Sequence, residues 1–150
     1  MAGRCDRRRK TFRGREPPTA TPAALAPPHG YRVMVVEDNE DIRETMKDML
    51  ESSGHDASSA SDGLSGVEAV LSVRPDVAFI DVGLPGLDGY QVVAALLARD
   101  PHLATRLIAL TGYGRPKDRE RALAAGFDQH VVKPVTSGEL LKLVEPRAAR

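Results

Sequence analysis

The sequence predicts a doubly wound α/β fold, in which five parallel strands are covered by helices on both faces. Short apolar runs of β-type residues alternate with amphipathic segments of helical period along residues 31–145. Several of these runs lack polar alternation, as is typical of strands buried on both faces of a parallel sheet. One of them, Val77–Ile80, leads into Asp81 and then into turn residues that cannot continue a strand. Ligands and chemistry collect at the carboxyl ends of such strands, so Asp81 stands where a reactive group is expected.

Each predicted strand is followed by a predicted helix. The segment Asp56–Ala60 is short and polar, which favours a place at the edge of the sheet. The strands are predicted at Val33–Val36, Asp56–Ala60, Val77–Asp81, Leu107–Leu110 and His130–Val132. The apolar faces of the first, second, third and fifth helices are predicted from Ile42, Met46, Met49 and Leu50; Leu64, Val67, Val70 and Leu71; Val92, Val93, Leu96 and Leu97; and Leu140, Leu141 and Val144.

The helix ends carry recognisable signals. Gly54 is expected to cap the first helix, and Pro116 and Gly126 to begin and end the fourth. Thr136 and Glu139 predict a capping box at the start of the fifth. The fourth helix has a thin apolar face, mainly Leu123 with several alanines, so we expect it to be mobile or to bind a partner.

Composition indicates one ordinary domain with a basic tail. Residues 1–16 hold seven Lys or Arg against two acids, whereas the remaining chain holds 14 basic and 19 acidic residues. Residues 1–30 are therefore predicted to be a disordered tail or linker, first basic and then rich in Pro and Ala, with 31–145 as the domain and 146–150 as a short C-terminal tail. The single cysteine, Cys5, excludes an internal disulfide and favours a cytoplasmic location. No apolar run approaches the roughly 20 residues of a membrane span.

Polar side chains follow four of the five strands. The first strand is followed by Glu37 and Asp38, the third ends in Asp81, the fourth leads to Thr111 and the fifth to Lys133. In the flavodoxin-like strand order 2-1-3-4-5, the first and third strands flank the crevice where ligands bind. Three carboxylates would meet there and repel one another, which a Mg²⁺ ion would relieve while keeping positions open for phosphate. A carboxylate nucleophile beside a metal, a lysine and a hydroxyl predicts phosphoryl transfer.

The chain from about Tyr31 to about Val144 resembles a receiver domain of bacterial two-component signalling. The matching segments are Val35–Asn39, Asp81–Gly89, Ala109–Gly112 and Val132–Pro134. The part from Leu110 to Val135 is most similar to receivers attached to hybrid histidine kinases. The resemblance implies a phosphoacceptor switch, a response regulator that assists its own phosphorylation and dephosphorylation and is not otherwise an enzyme.

The resemblance also implies roles for individual residues. Asp81 would accept the phosphoryl group, giving an aspartyl phosphate. Asp38 and Asp81 would bind Mg²⁺ directly, Glu37 would act mostly through water, and the backbone carbonyl of Gly83 would complete the protein ligands. Among the remaining matched residues, Thr111 would turn its hydroxyl toward the phosphoryl group, Lys133 would pair with that group, and the Lys133–Pro134 bond would be cis.

Two features set this chain apart from the commonest pattern. His130 stands where the family usually has a Tyr or Phe that swings inward on activation, so it is a candidate switch residue together with Thr111. Gly83 and Tyr113 occupy positions that tune the lifetime of the phosphoryl group in this family.

The resemblance implies two kinds of partner. The phosphoryl donor would be a sensor or hybrid histidine kinase, or a histidine phosphotransfer protein. A downstream protein would bind the face formed by the fourth helix, the fifth strand and the fifth helix. The domain is acidic and no helix-turn-helix follows Val144, so we expect neither direct nucleic-acid binding nor membrane association.

Two other functions fit the same fold class. A Mg²⁺-dependent phosphatase of the haloacid-dehalogenase type would need a second Asp two positions after Asp81, where Gly83 stands. A nucleotide- or flavin-binding module would need glycines or hydroxyls after the first strand to hold phosphate. The acidic segment Glu37–Asn39 would instead repel it.

Overall fold

A computed structural model of the chain describes residues 30–112 and 116–145, in which strands and helices alternate. Residues 1–29, which make up nearly all of the predicted N-terminal tail, and residues 146–150 and Tyr113 lie outside the described residues. Among the helices that are described, none is both long and apolar enough to cross a bilayer. The elements are β1 (Arg32–Val36), α1 (Glu40–Ser52), β2 (Asp56–Ala60), α2 (Gly63–Val73), β3 (Val77–Asp81), α3 (Gly89–Arg99), β4 (Arg106–Thr111), α4 (Pro116–Ala125), β5 (Gln129–Val132) and α5 (Ser137–Val144).

The five strands form one parallel sheet in the predicted order β2-β1-β3-β4-β5. All five residues of the central strand β3 are buried, and the polar strand β2 lies at an edge as expected. The register pairs Val36 with Ile80 and Asp81 with Leu110. The carboxyl ends of β1, β3 and β4 therefore lie nearly level, and the residues that follow them come close together.

Alternate residues of each strand pack into two separate hydrophobic cores, because successive side chains of a strand point to opposite faces of the sheet. Val33 and Val35 pack toward α1 and α5, whereas Met34 and Val36 pack toward α2 and α3. Phe79 and Ile80 divide in the same way at the centre of the sheet. With both faces covered, the ends of the strands are where polar chemistry can be placed.

The predicted helix ends are confirmed. Gly54 follows α1 at φ +90°, its N–H donates to the Glu51 carbonyl and that of His55 to the Leu50 carbonyl, which is the Schellman arrangement. α4 begins at Pro116 and stops before Gly126, and Thr136 and Glu139 form the expected capping box at α5. A second capping box, Asp88 with Gln91 at α3, was missed, although its Asp-x-x-Gln spacing is readable in the sequence.

The predicted burial of Leu64 is wrong, and Leu123, the main residue of the thin apolar face predicted for α4, is also exposed. Leu64 is 72% exposed and Leu123 is 45% exposed. Small residues of these helices face the core instead, because they let each helix pack closely against the sheet. A Cβ on Gly66 would lie 2.7 Å from a methyl carbon of Val36, and α4 buries only Ala122 among its described residues. The contact faces of α2 and α4 are therefore centred on small residues and not on the leucines.

Candidate functional site

The candidate site lies at the carboxyl end of the sheet, where residues from the ends of β1, β3, β4 and β5 converge. Glu37 follows β1 directly, and its backbone N–H donates to the Ala60 carbonyl at the end of β2. Asp81 and Thr111 are the last residues of β3 and β4. Lys133 follows β5, and its N–H donates to the Thr111 carbonyl. Thus the parallel sheet brings together side chains that are far apart in the chain.

Three carboxylates form the centre of the site. One oxygen each from Glu37, Asp38 and Asp81 lies within 4.8 Å of the others. Glu37 and Asp81 are buried, with 1% and 6% of their surface exposed, while Asp38 is exposed. Such a cluster repels itself strongly, because burial removes the water that would screen its charge. Burial indeed raises the pKa of the Glu37 carboxyl, and the nearby Asp81 charge adds to that effect, against hydrogen bonds from Asn39 and Lys133.

Among the described residues, Lys133 is the cation whose side chain contacts the carboxylate oxygens of this cluster. Its Nζ lies 3.0 Å from Oε1 of Glu37 and 3.4 Å from Oδ2 of Asp81. Burial alone would lower the pKa of Lys133, but the two carboxylates outweigh it and the pKa is raised. The pKa shift at Glu37 is therefore due mainly to burial, while at Lys133 burial is outweighed by the hydrogen bond with Glu37 and by the charges of Asp81 and Glu37.

The loop after β3 holds Asp81 in place. The backbone N–H of Gly83 donates to Oδ1 of Asp81 at 2.9 Å, so each carboxylate oxygen of Asp81 has a partner. A Cβ on Gly83 would lie 3.6 Å from that oxygen, which is ordinary contact and leaves this side of Asp81 uncrowded. A Cβ on Gly89 would lie 2.7 Å from the Asp81 carbonyl oxygen, so α3 starts directly against the end of β3.

The acidic loop after β1 is held by contacts that sequence reasoning missed. The Asn39 side chain accepts from the Ile42 N–H and caps α1, while the Asn39 N–H donates to Oε2 of Glu37. From the first turns of α1, the Arg43 guanidinium donates to the Glu37 carbonyl at 2.9 Å and more weakly to that of Asp38 at 3.4 Å. The N-cap could have been read from the sequence, since Asn is a preferred N-cap residue. The reach of Arg43 back to main-chain carbonyls has no such sequence pattern.

Thr111 and His130, the two predicted switch residues, occupy different places. Thr111 is 2% exposed at the end of β4, beside β3 on one side and β5 on the other. His130 is half-buried on β5, in register with Ala109. It precedes Lys133 by three residues, which puts its backbone roughly 10 Å back along the strand. The Lys133–Pro134 bond is cis, as predicted.

The donor set fits a magnesium ion. Three carboxylate oxygens are hard ligands, and Mg²⁺ binds such oxygens at about 2.0–2.1 Å, so that opposite ligands lie roughly 4.2 Å apart. A separation of up to 4.8 Å needs only slight closing. With a single lysine opposing three carboxylates, a divalent ion would also come close to balancing the charge.

Comparison with known proteins gives one consistent result. The family model of the response regulator receiver domain matches residues 33–145. Protein PilG of Pseudomonas aeruginosa is 31% identical over 116 residues, covering 77% of this chain and 86% of PilG. The transcriptional regulatory protein PrrA of Mycobacterium leprae is 35% identical over 114 residues, covering 76% of this chain but 48% of PrrA. The chain thus spans nearly all of one relative and about half of the other.

Solved structures agree in fold. The chemotaxis response regulator CheY4 of Vibrio cholerae aligns with a TM-score of 0.70 and 27% identity, covering 75% of this chain and 94% of that one. The receiver domain of NarL from Mycobacterium tuberculosis aligns with a TM-score of 0.70 and 32% identity, covering 78% and 94%. Domains of this family generally act as signalling switches, pair with histidine kinases and typically bind Mg²⁺ at an acidic cluster. Fold, strand-end residues and relatives agree, and the chain belongs to the response regulator receiver domain family of two-component signalling.

Proposed function

We propose that this receiver domain is a phosphoacceptor switch in which Asp81 takes a phosphoryl group from a phosphohistidine of a sensor or hybrid histidine kinase, or of a histidine phosphotransfer protein. The observation that carries the proposal is the meeting of Glu37, Asp38 and Asp81 within 4.8 Å, with Lys133 in contact with two of them. A buried charge excess of this kind is costly for stability and is common at sites that bind a cation and a phosphoryl group.

In the proposed step, a carboxylate oxygen of Asp81 attacks phosphorus. The new P–O bond forms as the P–N bond to the donor imidazole breaks, and the electron pair of that bond leaves on the imidazole nitrogen. Asp38, Asp81 and the Gly83 carbonyl would hold a Mg²⁺ ion, with Glu37 acting through water, and the bound ion would supply charge neutralisation at the phosphoryl oxygens. The lysine ammonium pairs with the same oxygens. Asp81 remains an acyl phosphate until water removes the group.

Two observations support Asp81 as the nucleophile over its acidic neighbours. It ends the central strand, and both of its carboxylate oxygens are oriented, one by Gly83 and one by Lys133. Glu37 is more deeply buried than Asp81, with 1% of its surface exposed against 6%. Asp38 is exposed and therefore less restrained in orientation.

The proposed output is a shift of the face formed by α4, β5 and α5. The phosphoryl group would draw the Thr111 hydroxyl toward it, and β5 would follow because the Lys133 N–H bonds to the Thr111 carbonyl. α4 is suited to move, since Ala122 is its buried residue among those described. We include His130 in this movement as a half-buried residue of β5, and a downstream protein would read the changed face.

Incubation with acetyl phosphate and Mg²⁺, followed by mass spectrometry, tests the proposal. We expect a mass increase of one phosphoryl group that hydroxylamine removes, as it does for acyl phosphates. Asp81→Asn should abolish it, because an amide is not a nucleophile for phosphorus. Asp88→Asn is the matched control, since Asn caps a helix as well as Asp does and α3 should be kept. Labelling that persists in Asp81→Asn, or disappears in Asp88→Asn alone, would overturn the assignment.

A further inference from the structure

We infer that Arg43 is a positioning residue for the magnesium site, an inference that rests on the proposed function. It holds the main chain of the acidic loop so that the carboxylates of Glu37 and Asp38 stay aimed at the metal position.

The geometry separates Arg43 from the other cation. Lys133 binds carboxylate oxygens, whereas the Arg43 guanidinium donates to the main-chain carbonyls of Glu37 and Asp38 at 2.9 and 3.4 Å. Arg43 therefore places positive charge next to the acidic loop without occupying an oxygen that a metal would need. Both bonds come from one nitrogen, Nη1, whose two N–H groups are held in the plane of the guanidinium, whereas the ammonium of a lysine is a compact charge on a flexible chain.

The loop needs such a restraint because two adjacent residues, Glu37 and Asp38, carry like charges. Without a metal their repulsion favours turning the exposed Asp38 away from the cluster. The remaining restraints act on its neighbours, through the Glu37 N–H to the Ala60 carbonyl and the Asn39 N–H to the Glu37 carboxylate. Among the described residues, Arg43 is the one whose side chain donates a hydrogen bond to the carbonyl of Asp38.

The sign of the effect on Mg²⁺ affinity separates positioning from simple electrostatics. If Arg43 acted only through its charge, replacing it by a neutral residue would remove repulsion and tighten Mg²⁺ binding. If it positions the loop, the same replacement weakens binding. Loss of residues that orient metal ligands weakens metal affinity by about 10–100-fold, and for Arg43→Met we expect about tenfold. Arg43→Lys keeps the charge but not the planar guanidinium and should recover part of that loss.

The experiment is a Mg²⁺ titration of the full chain, followed by NMR at the backbone amides of Asp38 and Gly83. The control is Lys47→Met, one turn further along α1, which removes the same charge from a side chain with no hydrogen bond or ion pair in residues 30–112 and 116–145. Amide hydrogen exchange of Asn39 without metal is measured in parallel and should be faster in Arg43→Met than in Lys47→Met. Titrations are run well below the unfolding temperature of every variant, so that loss of fold does not contribute.

Each outcome decides something. Weaker binding in Arg43→Met, with Arg43→Lys intermediate and Lys47→Met unchanged, supports positioning. Unchanged or tighter binding in Arg43→Met, with unchanged Asn39 exchange, overturns the role of Arg43 and leaves the magnesium site in place. A wild-type chain that shows no Mg²⁺-dependent shifts at Asp38 and Gly83 overturns the proposed metal site itself, and the role of Arg43 with it.

Discussion

The two ends of the sheet differ in how their charged side chains are paired. At the amino end, Arg74 and Asp100 form an ion pair. The guanidinium groups of Arg32 and Arg106 donate to carbonyls at helix ends, and the carboxylates of Asp76 and Asp128 accept from backbone N–H groups. At the carboxyl end, three carboxylates face one lysine. Each of these charged groups at the amino end is therefore bound to an opposite charge or to a main-chain group, whereas the carboxyl end carries a surplus of negative charge for a ligand to balance.

Cavity size does not reveal this difference. A cleft of about 510 Å³ lies at the amino end. Its lining includes Tyr31 and His102 together with the charged residues Arg74, Asp76, Asp100 and Arg106. It offers volume, but its arginines are already bound to carbonyls or carboxylates. The carboxyl end is marked by its charge imbalance, which is the better indicator of chemistry in this molecule.

The largest effect is expected from breaking the ion pair at the carboxyl end. Lys133→Met in metal-free buffer leaves the Glu37 charge buried without a cation. Removing one partner of a buried pair costs roughly 3–5 kcal/mol, and about 3 kcal/mol is expected here because the Lys133 side chain is 22% exposed. Urea unfolding with and without MgCl₂ measures it. With Mg²⁺ present the loss should shrink, since removing a neighbouring cation strengthens metal binding. An equal loss in both buffers would mean that the lysine and the metal do not share the same carboxylates.

At the amino end, a mutation should lower the free energy of unfolding by an amount that does not depend on Mg²⁺. The Arg106 guanidinium donates to the last two carbonyls of α5, those of Leu143 and Val144, and to the carbonyl of Glu145, which follows the helix. Arg106→Met should lower the free energy of unfolding by about 1.5–3 kcal/mol, the range for hydrogen bonds to a charged group. The same urea experiment should give the same loss with and without MgCl₂, while Arg106→Lys retains part of the stability. A Mg²⁺-dependent loss would show that the two ends are energetically coupled.

The different balance at the two ends also explains how much could be predicted from the sequence. The carboxyl end was predicted because Glu37, Asp38 and Asp81 follow apolar runs directly, and strand order then brings them together. The contacts of Arg43 and Arg106 could not be predicted, because no sequence spacing indicates that a long side chain will reach a particular main-chain carbonyl. Leu64 was misplaced for a related reason, since close helix packing is set by glycine and not by the largest apolar residue.

The effect of Asp38 is expected to change sign with metal. Asp38→Asn removes one of three repelling charges, so the metal-free protein should gain stability, by less than about 1 kcal/mol since Asp38 is exposed. At a Mg²⁺ concentration that saturates the wild type, the variant should be the less stable of the two, because it lacks the proposed direct ligand and with it part of the stabilisation that binding would provide. Glu37→Gln should weaken Mg²⁺ binding less than Asp38→Asn does. Calorimetric titration measures both affinities, and the reverse order would contradict the assignment of Asp38 as the direct ligand and Glu37 as the one acting through water.

The smallest effect is expected from a charge pair at neither end. Arg99 on α3 contacts Glu68 on α2, and both side chains are more than half exposed, at 53% and 68%. A double-mutant cycle with Arg99→Met and Glu68→Gln should give a coupling of about 0.2–1 kcal/mol, because water screens the charges and ordering two long side chains costs entropy. The coupling should decrease further in 1 M NaCl, where the screening length falls to about 3 Å, and should not depend on MgCl₂ beyond its ionic strength. This pair sets the scale for an ordinary surface contact in this fold. If it coupled as strongly as Lys133 with Glu37, the charge surplus at the carboxyl end would no longer distinguish that end of the sheet energetically.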